Sequence, residues 1–277
     1  MDRRWRNAPM KVDDDTKFVG TRFSLPVGAK SPAGVGSIVS GLVVAQGGTL
    51  KEVRLRAATL PNTTDSFSFN VKNDGDDVFA SAQVFGREFN PSGFAKTVDN
   101  GANFTNYLTQ VTGSGVAAVG ALDTAANGDY IYASFDEIAA GMKVVMDGVN
   151  VNDQASVMTA EYPNGTTWGA LTITDGTASG GATLAQSGNI TWTPPADWAK
   201  VAVGSLGTRY WVRFKVSAVL AATVNIDTVL AIRDVGVFYA FTPDQNTEIA
   251  DGAELRIAIT EADANAAGLE FILNGSF

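Results

Sequence analysis

A chain of 277 residues with net charge −9, 45% hydrophobic and only 18% charged residues suits two β-domains of ordinary size, each able to bury a core, and excludes a disordered tail. It contains no cysteine and no histidine, which excludes disulfides, thiolate or imidazole metal sites, and Ser-His-Asp or Cys-His catalysis. The acidic balance disfavours a nucleic-acid partner, because neutralising phosphates takes clustered Lys and Arg, and no apolar run approaches the length of a membrane span.

Residues 1–16 lack periodicity and read as a basic arm, with Arg3, Arg4, Arg6 and Lys11 against Asp2 in a chain that is otherwise acidic. An arm of opposite sign to the body suits docking on an acidic neighbour, a second copy included, and Arg3, Arg4, Trp5 and Arg6 are its candidate interface residues. A frayed terminus is the alternative. The basic start runs into Pro9 and Asp13-Asp14-Asp15 rather than an apolar core, so no signal peptide is expected and synthesis is placed in the cytosol.

From Phe18 the pattern is that of strands. Residues 37–45 are apolar and turn at Gln46-Gly47-Gly48. Val53, Leu55 and Ala57 alternate with Glu52, Arg54 and Arg56, and Phe67, Phe69 and Val71 alternate with Ser66, Ser68 and Asn70. Asn-Gly or Asp-Gly pairs at Asp74, Asn100, Asn127, Asp147, Asn164, Asp175, Asp251 and Asn274 signal repeated hairpins. Residues 89–115 weaken into polar sequence and read as a loop or linker. From Val116 a second β-rich unit runs through 130–132, 144–146, 156–161, 168–172, 190–192, 210–217 and 223–232. Short helical pieces are expected at 136–142 and 262–267. The segment Thr193-Pro194-Pro195-Ala196-Asp197-Trp198 cannot be strand interior, since consecutive prolines remove ladder donors, and it reads as a crossover.

Two final strands, through Leu255, Ile257 and Ile259 and through Leu269, Phe271 and Leu273, cannot make a sheet alone. The strong strands of 38–79 are likewise an incomplete sandwich. The expected fold is all-β, with two jelly-roll-like β-sandwich domains. One is discontinuous (17–115 plus 237–277) and the other (116–236) is inserted in its loop.

Exposed aromatics are the first candidate site residues. Trp211 alternates onto the wet face of its strand with Arg213, and both are interface candidates. Tyr162, Trp168 and Trp211 are glycan candidates, because flat rings stack on sugars or anchor interfaces. Trp192 and Trp198 read as caps of a sandwich core. Two acidic loops, Asp147 with Asn150, Asn152 and Asp153, and Asn73 with Asp74, Asp76 and Asp77, offer oxygens but match no calcium-loop spacing. Glu161, Asp175 and Asp197 are the carboxylates that would have to converge in a glycosidase. Asn62, Asn103, Asn164, Asn189 and Asn274 begin N-x-S/T triplets, which without a leader read as ordinary loops. No catalytic, metal or cofactor site is expected.

The stretch GGTLKEVRLRAATLPNTTDSFSFNVKNDGDDVF, with EIADGAELRIAITEADANAAGLEFIL far downstream, resembles the jelly-roll modules of tailed-bacteriophage structural proteins. The hairpin Lys72-Asn73-Asp74-Gly75 through Phe79, the strand entry Ala250-Asp251-Gly252-Ala253-Glu254-Leu255 and the closing Ala266-Ala267-Gly268-Leu269 carry the resemblance. An extra residue in the first hairpin, and Ala253-Glu254 where an acid usually follows glycine, depart from it. EYPNGTTWGALTITDGTASGGATLAQSGNITWTPPADWAKVAVGSLGTRYWVRFKVS resembles sandwich modules of tail-fibre, neck and head-decoration proteins. The resemblance implies a non-enzymatic virion part (head decoration, neck or tail appendage) whose partners are other virion proteins. In that setting a homo-oligomer, a trimer by preference, is expected because symmetric packing protects the edges of β appendages. The alternative, from the aromatic candidates, is a carbohydrate-binding receptor module that engages a host surface glycan.

Overall fold

Strand-forming sequence decides the architecture: every regular element among the described residues is a β-strand except one five-residue helix, Leu108–Thr112. The computed structural model describes residues 21–25, 37–43, 47–61, 66–98, 103–123, 128–261 and 269–276, the first two segments and residue 261 as backbone alone. The expected arm, with Arg3, Arg4, Trp5 and Arg6, and the expected short helix at 262–267 lie outside the described residues. The chain divides into two compact units: unit 1 is Met1–Gly86 with Phe238–Phe277, and unit 2 is Arg87–Val237.

Unit 1 holds two antiparallel sheets, each interleaving strands from early and late in the chain. In one the order is Thr21–Leu25, Leu269–Ser276, Gly48–Arg56, Tyr239–Phe241, with Glu248–Ile249 also on Gly48–Arg56. In the other it is Ser37–Val43, Glu254–Glu261, Ser66–Asn73, Asp76–Asp77, with Gln83–Gly86 also on Ser66–Asn73. Val53, Leu55, Phe67, Phe69, Val71, Leu255, Ile257, Phe271 and Leu273 are all buried, as period-two alternation demands. Phe69 joins the two sheets, with its ring 5.1 Å from Phe241 and 5.2 Å from Phe271, both edge-on. Asn70 is buried and pins the next loop. Its Nδ2 donates to the Phe79 carbonyl at 2.9 Å, and its Oδ1 accepts from the Phe79 N–H at 3.1 Å.

Asp74-Gly75 makes the expected tight hairpin, with φ of 50° and 100°. Asn274-Gly275 does not. It lies inside the last strand, where the pairing with Gly48–Arg56 shifts by one residue between Asn274 and Gly275. A Cβ on Gly275 would collide with the Thr49 carbonyl oxygen, so the glycine serves the close approach of a bulge rather than a turn.

Unit 2 is built on a six-stranded and a seven-stranded antiparallel sheet. The first runs Ala117–Ala118, Asn225–Ile232, Gly141–Met146, Gly188–Thr191, Thr174–Asp175, with Glu88–Phe89 added on Asn225–Ile232. The second runs Trp168–Leu171, Met158–Pro163, Thr208–Val216, Tyr130–Phe135, Gly93–Val98, Asn103–Asn106, with Lys200–Ala202 added on Thr208–Val216. Val144, Ile190 and Val229 of the first meet Phe135, Val212 and Phe214 of the second in one core, which Trp192 and Trp198 complete. Both tryptophans are buried and bonded, Trp192 Nε1 to the Ala139 carbonyl at 2.8 Å and Trp198 Nε1 to the Trp211 carbonyl at 3.1 Å.

Two local expectations are corrected. Residues 89–115 are not a loop: they hold Gly93–Val98, Asn103–Asn106 and the short helix, and they cluster with unit 2. Gly93–Val98 escapes a period-two reading because both its faces are covered. Phe94 lies in the main core, Ala95 in a second cluster, and Lys96 reaches past the rim to the Gly120 carbonyl at 2.8 Å. The expected helix at 136–142 is also absent. The backbone there is drawn into the sheet, where Ala140 N–H donates to Ile232 and its carbonyl accepts from Trp192 N–H. Gly141–Met146 follows as a strand.

Truncating Phe69 to alanine should cost unit 1 about 3–5 kcal/mol, the usual loss for a buried aromatic. Calorimetry of the full chain reads that loss. The described tryptophans all lie in unit 2, so the transition followed by their fluorescence should move far less.

Candidate functional site

Thr208–Val216 positions most of the sequence-derived candidates. Its inward residues Val212, Phe214 and Val216 enter the main core, and Trp211, Arg213 and Lys215 stand on the opposite face. That face is not wet at Trp211, which is fully buried. It lies with Ala95, Tyr132 and Val203 in a second apolar cluster flanked by Val201, Leu206, Phe104 and Trp168. The turn after Lys200–Ala202 folds over the ring, and Trp211 Nε1 donates to the Gly207 carbonyl at 3.2 Å. Trp211 is therefore a core residue of unit 2 and not an exposed contact or a sugar platform. Alternation gave its face correctly, but the covering turn comes from outside the strand and leaves no mark on its period.

Arg213 is engaged as well. Its guanidinium lies between two rings, 4.3 Å from the centroid of Trp168 and 4.5 Å from that of Tyr130. It is also paired with Glu161 at 2.7 Å, and Lys215 reaches the same carboxylate at 2.6 Å. Cross-strand register sets this up, since Glu161 sits opposite Arg213 and Thr159 opposite Lys215. Burial pushes the Glu161 carboxyl up, but the hydrogen bonds from Lys215 and Arg213 and their charges outweigh it, so its pKa lies below 4.5. Trp168 is partly exposed and borders a shallow groove of about 280 Å³ with Tyr132, Thr166 and Thr167.

The other acids hold separate posts. Asp175 ties its own loop, accepting from Thr177 Oγ1 and Thr183 Oγ1 at 2.5 Å each. Asp197 accepts from the Tyr162 hydroxyl at 2.9 Å, and that bond raises the tyrosine pKa above 10.0. Asp147 accepts from Asn150 Nδ2 at 2.5 Å. Asn152 is buried, donating to the Thr183 carbonyl and Ser156 Oγ and accepting from the Ala221 N–H. In the other loop Asp74 Oδ1 accepts from the Glu254 N–H, and Asp77 pairs with Lys72 at 2.6 Å. Asp147, Asp74 and Asp77 thus spend oxygens on the fold, and no group of three acids able to hold a metal occurs among the described residues. Sequence reasoning missed Glu137, whose pKa burial raises despite Arg233 at 3.5 Å. Nothing in its neighbourhood in the sequence signals that burial.

Tyr162 belongs to a different feature. A cleft of about 530 Å³ opens where the edges of the two sheets diverge, bounded by the ends of Met158–Pro163 and Trp168–Leu171 on one side and of Thr174–Asp175 and Gly188–Thr191 on the other. Tyr162 and Trp192 line it with Thr172, Thr174, Thr191 and Thr193. Trp192, read from sequence only as a cap, thus presents an edge to this cleft. Comparison with protein-family models, curated proteins and solved structures finds no match for the chain.

Glu161→Gln should lower stability at pH 7 by about 1–2 kcal/mol, the scale of charge-assisted hydrogen bonds in a partly exposed network. The folded-state pKa of Glu161 is depressed, so its contribution is complete above 4.5 and fades as pH falls through the lower folded value. Urea unfolding followed by tryptophan fluorescence should therefore find wild type and variant converging in acid. A difference that stays constant down to pH 2 refutes the assignment.

Proposed function

We propose that the protein is a non-enzymatic structural part of a tailed-phage particle, a head-decoration, neck or tail appendage, in which unit 1 docks and unit 2 is presented. The observation that carries this reading is the strand pairing of unit 1. Leu269–Ser276 lies between Thr21–Leu25 and Gly48–Arg56, so early and late strands are committed to one body. Unit 2 is a continuous segment with its own core. A chain whose early and late strands close one module while the stretch between them forms another is suited to attachment through the first and display of the second. The resemblance of the Lys72–Phe79 hairpin and the Ala250–Leu255 strand entry to phage jelly-roll modules supports the same setting.

The three carboxylates weighed as catalytic groups each have a partner in the fold. Glu161 balances two cations, Asp175 ties a loop, and Asp197 holds Tyr162. Among the described residues, outer strands such as Trp168–Leu171 and Thr174–Asp175 have a neighbouring strand on one side only. Symmetric packing of copies protects such edges, which favours a homo-oligomer and, for an appendage, a trimer.

In this reading the partners are other virion proteins, reached through the basic arm. A chain lacking residues 1–16 should keep the circular dichroism of the parent and lose incorporation into particles. Full incorporation of that chain, or release of reducing ends from surface polysaccharide by the intact protein, overturns the proposal. Sedimentation equilibrium should give a trimer; a monomer at micromolar concentration removes the oligomer from it.

A further inference from the structure

We infer that the cleft at the diverging sheet edges of unit 2 binds an uncharged saccharide. Its volume of about 530 Å³ falls inside the roughly 300–1,000 Å³ range of small-ligand sites. The floor is apolar, made by Leu171 and Trp192, both buried. The walls are threonines 172, 174, 191 and 193, and Tyr162 closes one side. A pyranose has that division of chemistry: C–H faces that pack on aromatic and aliphatic surface, and a rim of hydroxyls that both donate and accept.

The wall hydroxyls are available for it. None of the four makes a hydrogen bond to protein among the described residues, whereas Thr177 and Thr183 on the adjoining loop are both tied to Asp175. No lining side chain is charged. The nearby Asp197 is occupied by the Tyr162 hydroxyl. An anionic sugar would meet no cation here, so the site selects a neutral one.

The rings are fixed before any ligand arrives. Tyr162 is held at its hydroxyl by Asp197 and lies over Gly169, its cross-strand partner, where a Cβ would stand 3.2 Å from the ring. Trp192 is held through Nε1 by the Ala139 carbonyl. Binding therefore orders few side chains, which favours affinity. The aromatic face at Trp168 differs, because the Arg213 guanidinium already occupies the space between its ring and Tyr130. Of the sequence-derived ring candidates, Tyr162 is thus the one that borders the binding surface, with Trp192 beside it.

The inference does not rest on a role in a particle, since a saccharide site would serve a free lectin equally well, and its test uses the purified full chain. On an array of neutral and acidic mono- to tetrasaccharides the protein should bind at least one neutral glycan saturably. Titration calorimetry with that glycan should find the Thr174→Val/Thr191→Val variant weakened by about tenfold or more, as expected for hydroxyls lost at constant shape. Thr193→Val, altering a single exposed residue, should weaken it in the same direction. Trp168→Ala should bind as the parent does, and near-ultraviolet circular dichroism should be unchanged in the threonine variants. Absence of saturable binding, preference for sialylated or uronic glycans, or an affinity unmoved by both threonine variants overturns the inference.

Discussion

The pairing of Leu269–Ser276 with Gly48–Arg56, and of Glu254–Glu261 with Ser66–Asn73, is the constraint on which the remaining architecture depends. Neither end of the chain can complete a sheet without the other, because each sheet of unit 1 interleaves early and late strands. Such a closure costs little more for a long excursion than for a short one, since each doubling of loop length adds only about 0.6 kcal/mol. The middle of the chain is free to be large only if it buries its own surface and returns to its starting point. Both conditions are met inside the units. In unit 2, Glu88–Phe89 pairs with Ala231 and Ile232, and the Arg233 N–H donates to the Arg87 carbonyl at 2.9 Å. In unit 1, Phe85 and Tyr239, close to the points where the chain leaves and returns, meet edge-on with ring centroids 5.5 Å apart. Long-range pairing of this kind makes folding slow rather than unstable.

What the sequence makes legible is set by whether one face of a strand is polar. Gly48–Arg56 and Ser66–Asn73 carry Arg54, Lys51, Ser68 and Asn70 between their apolar residues, so their strand character is visible in the alternation. Gly93–Val98 is covered on both faces and its one cation sits at the rim, which erases the signal. Trp211 fails for a related reason: a turn eight to four residues before it in the chain covers a face that the strand's own period marks as polar. Asn-Gly and Asp-Gly pairs are ambiguous between positive φ and close approach. Asp74-Gly75 uses the first and Asn274-Gly275 the second, and only the neighbouring strand distinguishes them.

The chemistry of the acids follows from the same register. On the outer face of unit 2 one carboxylate, Glu161, lies between two cations contributed by the adjacent strand, and the guanidinium of one is further clamped by two rings. A group so engaged is poorly placed to transfer protons, because its hydrogen-bonding capacity and its charge are both committed to neighbours. Proximity of acids in the sequence carries no information on this point. Asp175 and Asp197 are as close to Glu161 in chain order as many catalytic pairs, yet one organises a threonine loop and the other a tyrosine hydroxyl.

The place left for a ligand is fixed by backbone approach rather than by any motif. The inner face of the seven-stranded sheet is spent on the core, and the outer one, apart from the shallow groove at Trp168, on the cluster around Trp211 and the clamp around Arg213. Concave surface remains where Trp168–Leu171 and Thr174–Asp175, neighbours in sequence, pass to different sheets. There two glycines let the chain close up. A Cβ on Gly188 would strike the Gly176 carbonyl, and the Gly176 N–H donates to the Asn189 carbonyl at 2.8 Å. That approach sets the register in which Thr174 faces Thr191 across the ladder. Asp175-Gly176 thus both opens a turn, with the Ala178 N–H on the Asp175 carbonyl, and allows the close approach that places the hydroxyl wall. Thr172, Thr174 and Thr193 are exposed at this edge and Thr191 is half-buried.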